Sequence, residues 1–144
     1  MPISGFSGAA INQNSTSASA SAAFSASRTP MVLPLNIQKT YYDHIRSGRK
    51  TVEGRLDGKN KTLQNGDYIV LKCRGQPDFK IRVTKCEKFR SFYDMLNTVG
   101  FQNCIPGACD IRAAEAVYHG FPSYKTKERQ VGVVAYHVSL NDVN

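Results

Sequence analysis

Beyond residue 30 the apolar positions of the chain recur with two periods, one of two residues and one close to 3.6, and their succession predicts the elements. Leu33, Leu35 and Ile37 share one parity over residues 32–37, a strand in which Pro34 marks an edge or a strand start. Tyr41, Tyr42 and Ile45 follow at helical spacing, and Gly48 is the residue expected just past a helix C-terminus, where the backbone must turn left-handed. Val52 and Leu56 then alternate with Thr51, Glu53 and Arg55, a strand with one apolar and one polar face. Turn formers fill residues 57–66, and a nearly continuous apolar run over 68–73 predicts the next strand. After a turn at 74–78, Phe79, Ile81 and Val83 give a long returning strand. Lys85 and Glu87 break its parity, so a bulge or bend is expected near Thr84 and Lys85.

Ser91 and Asp94 read as a capping pair that opens a helix, whose stripe of Phe92, Met95, Leu96 and Val99 stops at Gly100. Residues 101–109 predict an irregular loop around Pro106-Gly107. Another helix should start near Asp110, bury Ile111, Ala114 and Tyr118, and end at Gly120. Residues 121–124 turn the chain into the basic run Lys125-Thr126-Lys127-Glu128-Arg129, and residues 131–140, apolar on both faces, predict an interior strand. Five strands with short inserted helices predict an α+β fold, a small closed or nearly closed mixed β-barrel.

Residues 1–30 break with this pattern. They are rich in Ser and Ala, with Arg28 as their one basic residue and no acid, which predicts a disordered tail ahead of a single domain at 31–144. Such a leader shares its lack of acids with organelle transit peptides, but those are richer in arginine. A plain tail on an intracellular protein, cytoplasmic or nuclear, is the expectation, with organelle targeting as the alternative. No run approaches the roughly 18 apolar residues of a membrane span. The four cysteines, Cys73, Cys86, Cys104 and Cys109, form no CxxC pair, and His44, His119 and His137 have no metal spacing, so no metal and no cofactor are expected. The thiols read as reduced, buried or half-buried hydrophobes.

Charge gives the chain its functional direction. A formal net charge of +8 points to a polyanionic partner. Arg74, Lys80, Arg82, Lys85 and Lys88 fall on turns or outward strand positions, where they would meet a phosphate backbone. Tyr41, Tyr42, Tyr118 and Tyr124 flank the same region as stacking candidates. Single-stranded RNA suits them better than duplex because unpaired bases can enter a pocket. For Tyr42 and Tyr118 packing at the barrel end is the expected role. The densest opposed charge lies in Gly48-Arg49-Lys50-Thr51-Val52-Glu53-Gly54-Arg55, where Glu53 and Arg55 project from one side of a strand and Lys50 is placed to lean over it. Ser123, Tyr124 and Glu128 are candidates to complete a cleft from the opposite side.

The pattern Gly48-x-Lys50-x-x-Glu53-x-Arg55, preceded by a short helix ending in Ile45-Arg46-Ser47, resembles the signature of the ASCH family, a branch of the PUA-like small β-barrels, over about residues 32 to 140. The resemblance implies RNA binding through the cleft that the motif lines, or binding of a modified nucleoside. It also implies an alternative, a hydrolase acting on acetylcytidine-type nucleosides or single-stranded RNA. One branch of the family deacetylates acetylated cytidine nucleosides with a lysine and a threonine of this motif. Lys50 matches that lysine, but Glu53 stands at the threonine position and a carboxylate does not replace a hydroxyl nucleophile. A catalytic version would use Glu53 as general base and Lys50 to stabilise negative charge, with Arg55 orienting Glu53 or holding phosphate. The opposing reading makes Glu53 and Arg55 an internal ion pair that closes the barrel and keeps Glu53 a weak base. A scaffold for protein partners is the third class.

Overall fold

The computed structural model describes residues 29–58 and 63–140. The tail expected over residues 1–30 lies almost wholly outside them, as does part of the loop expected at 57–66.

Five strands form one sheet: β1 (Val32–Asn36), β2 (Val52–Leu56), β3 (Tyr68–Lys72), β4 (Phe79–Phe89) and β5 (Val133–Ser139), in the spatial order β1-β3-β4-β5-β2. Only β1 and β3 are parallel; the other neighbours are antiparallel. The sheet curls into a half-barrel because β4 is long enough to serve two partners. Its first residues pair with β3, the rest pair with β5 as far as Phe89, and its register with β5 shifts between Val83 and Lys85, where broken parity predicts a bulge. The edges are β1 and β2. Pro34, which has no N–H to give a ladder, lies on an edge as its chemistry requires.

Strand period divides the core in two. On β5, Val134 and Tyr136 face a cluster with Leu35, Ile69, Leu71, Ile81 and Val83, sealed by Tyr42 and Ile45 of helix α1 (Lys39–Arg46). Val133 and Ala135 face a second cluster with Val52 and the helices α2 (Phe92–Val99), α3 (Phe101–Cys104) and α4 (Ile111–His119). Both faces of β5 are therefore buried, as an interior strand should be. Tyr42 is packing rather than a stacking platform: it is fully buried and its hydroxyl donates to the Pro77 carbonyl at 2.6 Å.

Caps act where the sequence signals them. Ser91 Oγ accepts from the Asp94 N–H at 3.0 Å, and an Asp110 carboxylate oxygen from the Ala113 N–H at 2.8 Å. Three expectations are corrected. Residues 101–109 contain the single turn α3, and the basic run belongs to a helix, α5 (Tyr124–Val131), so β5 starts at Val133 instead of 131. The run gives no helical signal because α5 has no apolar stripe; its buried residue is Glu128. Cys109 is exposed rather than half-buried, while Cys73 and Cys104 are buried.

α5 hands over to β5 at Gly132, with φ 78° and ψ −169°, a region open in practice only to glycine. A Cβ there would sit 3.1 Å from the Phe89 carbonyl oxygen. Gly132→Ala is expected to cost about 1–3 kcal/mol, read in urea as a lower midpoint at unchanged slope. An unmoved midpoint would contradict the strain argument.

Candidate functional site

The charged motif lies where α1 passes into β2. Gly48, at φ 84°, gives α1 its left-handed stop, with its N–H on the Ile45 carbonyl at 3.0 Å. The Arg49 and Lys50 N–H groups both donate to the His44 carbonyl at 3.0 Å, which folds the chain back on the helix end. Lys50 consequently points inward. It is 3% exposed, and its Nζ donates to the carbonyls of Val52 at 2.7 Å and Cys104 at 2.6 Å, with Glu53 Oε1 at 3.5 Å. An ammonium has three donors and these partners match them. Lys50 does lean toward Glu53 as expected, but as an interior pin rather than as a cation open to a ligand.

Glu53 is 5% exposed and holds both neighbours, with Arg55 Nε donating to Oε2 at 2.6 Å. Burial alone would push the Glu53 carboxyl up; Lys50 and then Arg55 outweigh it and hold the group below its ordinary 4.5. The side chain is thus an ionised anchor. The catalytic role considered for it meets a physical obstacle, because a base must shed these partners before taking a proton. Arg55 continues the chain outward: its Nη2 donates to the Asn36 carbonyl at 2.7 Å. Asn36 ends the edge strand β1 and Arg55 belongs to the edge strand β2, so one guanidinium spans the open seam of the half-barrel.

Gly54 stands between these two charged residues. A Cβ there would lie 2.7 Å from Met95 Cε and 3.1 Å from the Tyr118 hydroxyl. Its lack of a side chain lets the helical layer sit against β2. Behind it the Tyr118 hydroxyl is buried beside Cys104, without a partner of hydrogen-bond geometry among the described residues. Burial also pushes the Cys104 thiol up to about 11.

Arg55 and Tyr124 together line two adjoining clefts. One, of about 570 Å³, is walled by Leu35, Leu56, Gly58, Lys127, Gln130 and Val131. The other, of about 430 Å³, is walled by Asn36, Ile37, Gln38, Phe121 and Pro122. Tyr124 is held from behind: Phe92 stacks on it at 5.6 Å and 7°, and Phe92 stacks on Tyr118 at 4.4 Å and 8°.

Of the residues singled out from sequence, Arg55 and Tyr124 line the clefts, and Lys50 and Glu53 brace Arg55 from within. Ser123 is exposed beside Tyr124 at the start of α5, with φ 70°. Tyr41 is half-buried over Lys50, with the ammonium 5.8 Å from its ring centre; burial, then Glu53, raises its hydroxyl pKa. Glu128 does not face these clefts. Its carboxylate accepts from the Phe92 N–H at 2.5 Å and contacts His119 Nε2 at 3.0 Å, tying α5 to the start of α2. The strand cations do not line them either: Lys85 and Lys88 pair with Glu87 and Asp57, and Lys80 lies over the Tyr68 ring. Asn36, Gln38, Phe121, Pro122 and Gln130 carry no sequence signal of a site, because segments far apart in the chain meet only at the seam.

A curled five-stranded sheet whose seam is bridged by an arginine and flanked by helices defines an α+β half-barrel with an edge cleft. The chain belongs to the ASCH domain family, whose model matches residues 35–141. It is similar to the crystal structure of hypothetical protein PH0355, at 30% identity and TM-score 0.69, covering 76% of this chain and 98% of that one. It is also similar to the solution structure of protein PF0455 from Pyrococcus furiosus, at 26% identity and TM-score 0.60, covering 78% of this chain and 99% of that one. No curated protein matches the chain. Among the described residues no helix is long and apolar enough to cross a membrane.

Proposed function

We propose that this domain binds single-stranded RNA by admitting one unpaired nucleotide to the cleft between Arg55 and Tyr124. The observation that carries the reading is the bracing of Arg55. Nε is held by Glu53 and Nη2 by Asn36, so the guanidinium is fixed before a ligand arrives, with N–H groups left over for phosphate or a base edge. Tyr124, backed by Phe92, supplies a rigid platform at the same place. Leu35, Leu56 and Val131 give the larger cleft apolar walls suited to a base. Lys127 lies on the rim where a phosphate would leave. A single strand fits better than a duplex because its base can unstack into the cleft. A modified nucleoside would occupy the same space.

The burial of Lys50 and the double pairing of Glu53 favour binding over turnover. Neither side chain lines either of these two clefts, and both are held by buried partners. Tyr124→Leu keeps apolar bulk but removes the stacking ring. It is expected to weaken binding of a short unstructured RNA by about 1–3 kcal/mol, roughly 5- to 150-fold, in fluorescence anisotropy. Undiminished affinity would remove Tyr124 from the site. Conversion of acetylcytidine or of RNA by the wild type, abolished in a folded Glu53→Gln variant, would replace binding with the hydrolase reading.

A further inference from the structure

We infer that the outer surface of α5 is a second, electrostatic part of the binding surface, over which the RNA backbone continues once it leaves the cleft. The inference rests on the RNA reading of that cleft. Lys125, Lys127 and Arg129 are all exposed, and none is paired with a described residue. Several other surface cations have carboxylates within reach: Lys39 with Asp43, Lys72 with Asp78, Lys88 with Asp57, Arg90 with Asp94 and Arg112 with Glu115. The one acid of α5, Glu128, is turned inward and bound to the Phe92 N–H and His119. The exposed charged side chains of the helix are therefore all cationic.

Folding gives no reason for this arrangement. Lys125 lies in the first turn, where the helix dipole disfavours a cation, and that turn holds no acid to offset it. Tyr124, Lys127 and Val131 look into the large cleft. Lys125 and Arg129, four residues apart, line a shallow groove with Thr126 and with Glu128, whose carboxylate is itself bound to the Phe92 N–H and His119. Arg129 also borders a further cleft of about 610 Å³ with Arg90, Ser91, Asp94 and Glu128. The cations thus continue from Arg55 and Lys127 across α5 to Arg129, while Arg90 beyond them is paired with Asp94. The helix is about 12 Å long at 1.5 Å per residue, enough to lie under several phosphates of a stacked strand at roughly 3.4 Å each. A polyphosphate fits this surface better than an acidic protein, because the groove beside Lys125 and Arg129 offers no apolar or aromatic anchor of the kind that dominates protein interfaces.

The test measures two RNAs, of about three and about twelve nucleotides, against wild type and Lys125→Gln/Arg129→Gln over roughly 50 to 200 mM salt. For the longer RNA, the slope of log K against log salt is expected to fall by roughly 1.4, about 0.7 for each cation removed. The short RNA should bind both proteins within about twofold, since it is confined to the cleft. Lys125→Arg/Arg129→Lys should keep the wild-type slope. An unchanged slope for the long RNA with short-RNA binding intact overturns the α5 surface alone. An equal loss on both lengths also overturns it, by making these residues part of the cleft. Failure of wild type to bind either RNA overturns the cleft reading, and this inference with it.

Discussion

Glu53→Gln is expected to destabilise the domain by about 3–5 kcal/mol, the cost of leaving a buried cation without its partner. Lys50 would keep its two carbonyls but lose the only carboxylate near it among the described residues, while Arg55 would lose the anchor of its Nε. That is a large share of the stability of a domain this size, and urea unfolding would read it directly. Removing Lys50 as well should cost less than the sum of the two single changes, because the two side chains share one network. A Glu53→Gln protein as stable as wild type would mean that the Lys50–Glu53–Arg55 chain does not hold the seam. The same carboxylate sets an acid limit. Its folded value is depressed below 4.5, so its stabilising contribution is complete above pH 4.5 and is lost as pH falls through the folded value. The Glu53→Gln variant should show a flatter acid limb. It should not become flat altogether, because Glu87, lowered chiefly by its hydrogen bond with His137, contributes in the same direction.

Arg55→Lys should separate folding from recognition. A lysine keeps the charge opposite Glu53, but it cannot hold Glu53 and Asn36 at once and still present a planar fork to a ligand. Affinity for single-stranded RNA is expected to fall by about 1.5–3 kcal/mol, the range for hydrogen bonds to charged groups. The loss of stability should be well short of that in Glu53→Gln, since no buried charge is left alone. Anisotropy titration beside a melting curve measures both effects. A variant that binds as tightly as wild type would show that the ligand is not held by the guanidinium.

The two expectations concern one chain of contacts that was only half legible beforehand. The opposed charges of Lys50, Glu53 and Arg55 were visible as a motif, and strand period put Glu53 and Arg55 on one side, where they do bond. The direction of Lys50 was not visible, because the carbonyl of Cys104 that draws it inward comes from a segment more than fifty residues away. Glu128 read as a cleft-facing acid for the same reason: its partner is the backbone of Phe92. α5 went unread because its inward position is satisfied by hydrogen bonds, to which hydrophobic periodicity is blind.

Local chemistry, by contrast, settled the elements with apolar stripes, the caps at Ser91 and Asp110, the left-handed stop at Gly48 and the bend in β4, since each depends on residues a few positions apart. The ordering β1-β3-β4-β5-β2, the meeting of β1 and β2 across Arg55, and the cleft gathered from Asn36, Phe121, Tyr124 and Gln130 were decided only by the closure of the sheet. Sequence spacing constrains which side chains share a face. It does not specify which distant backbone atoms will be there to receive them.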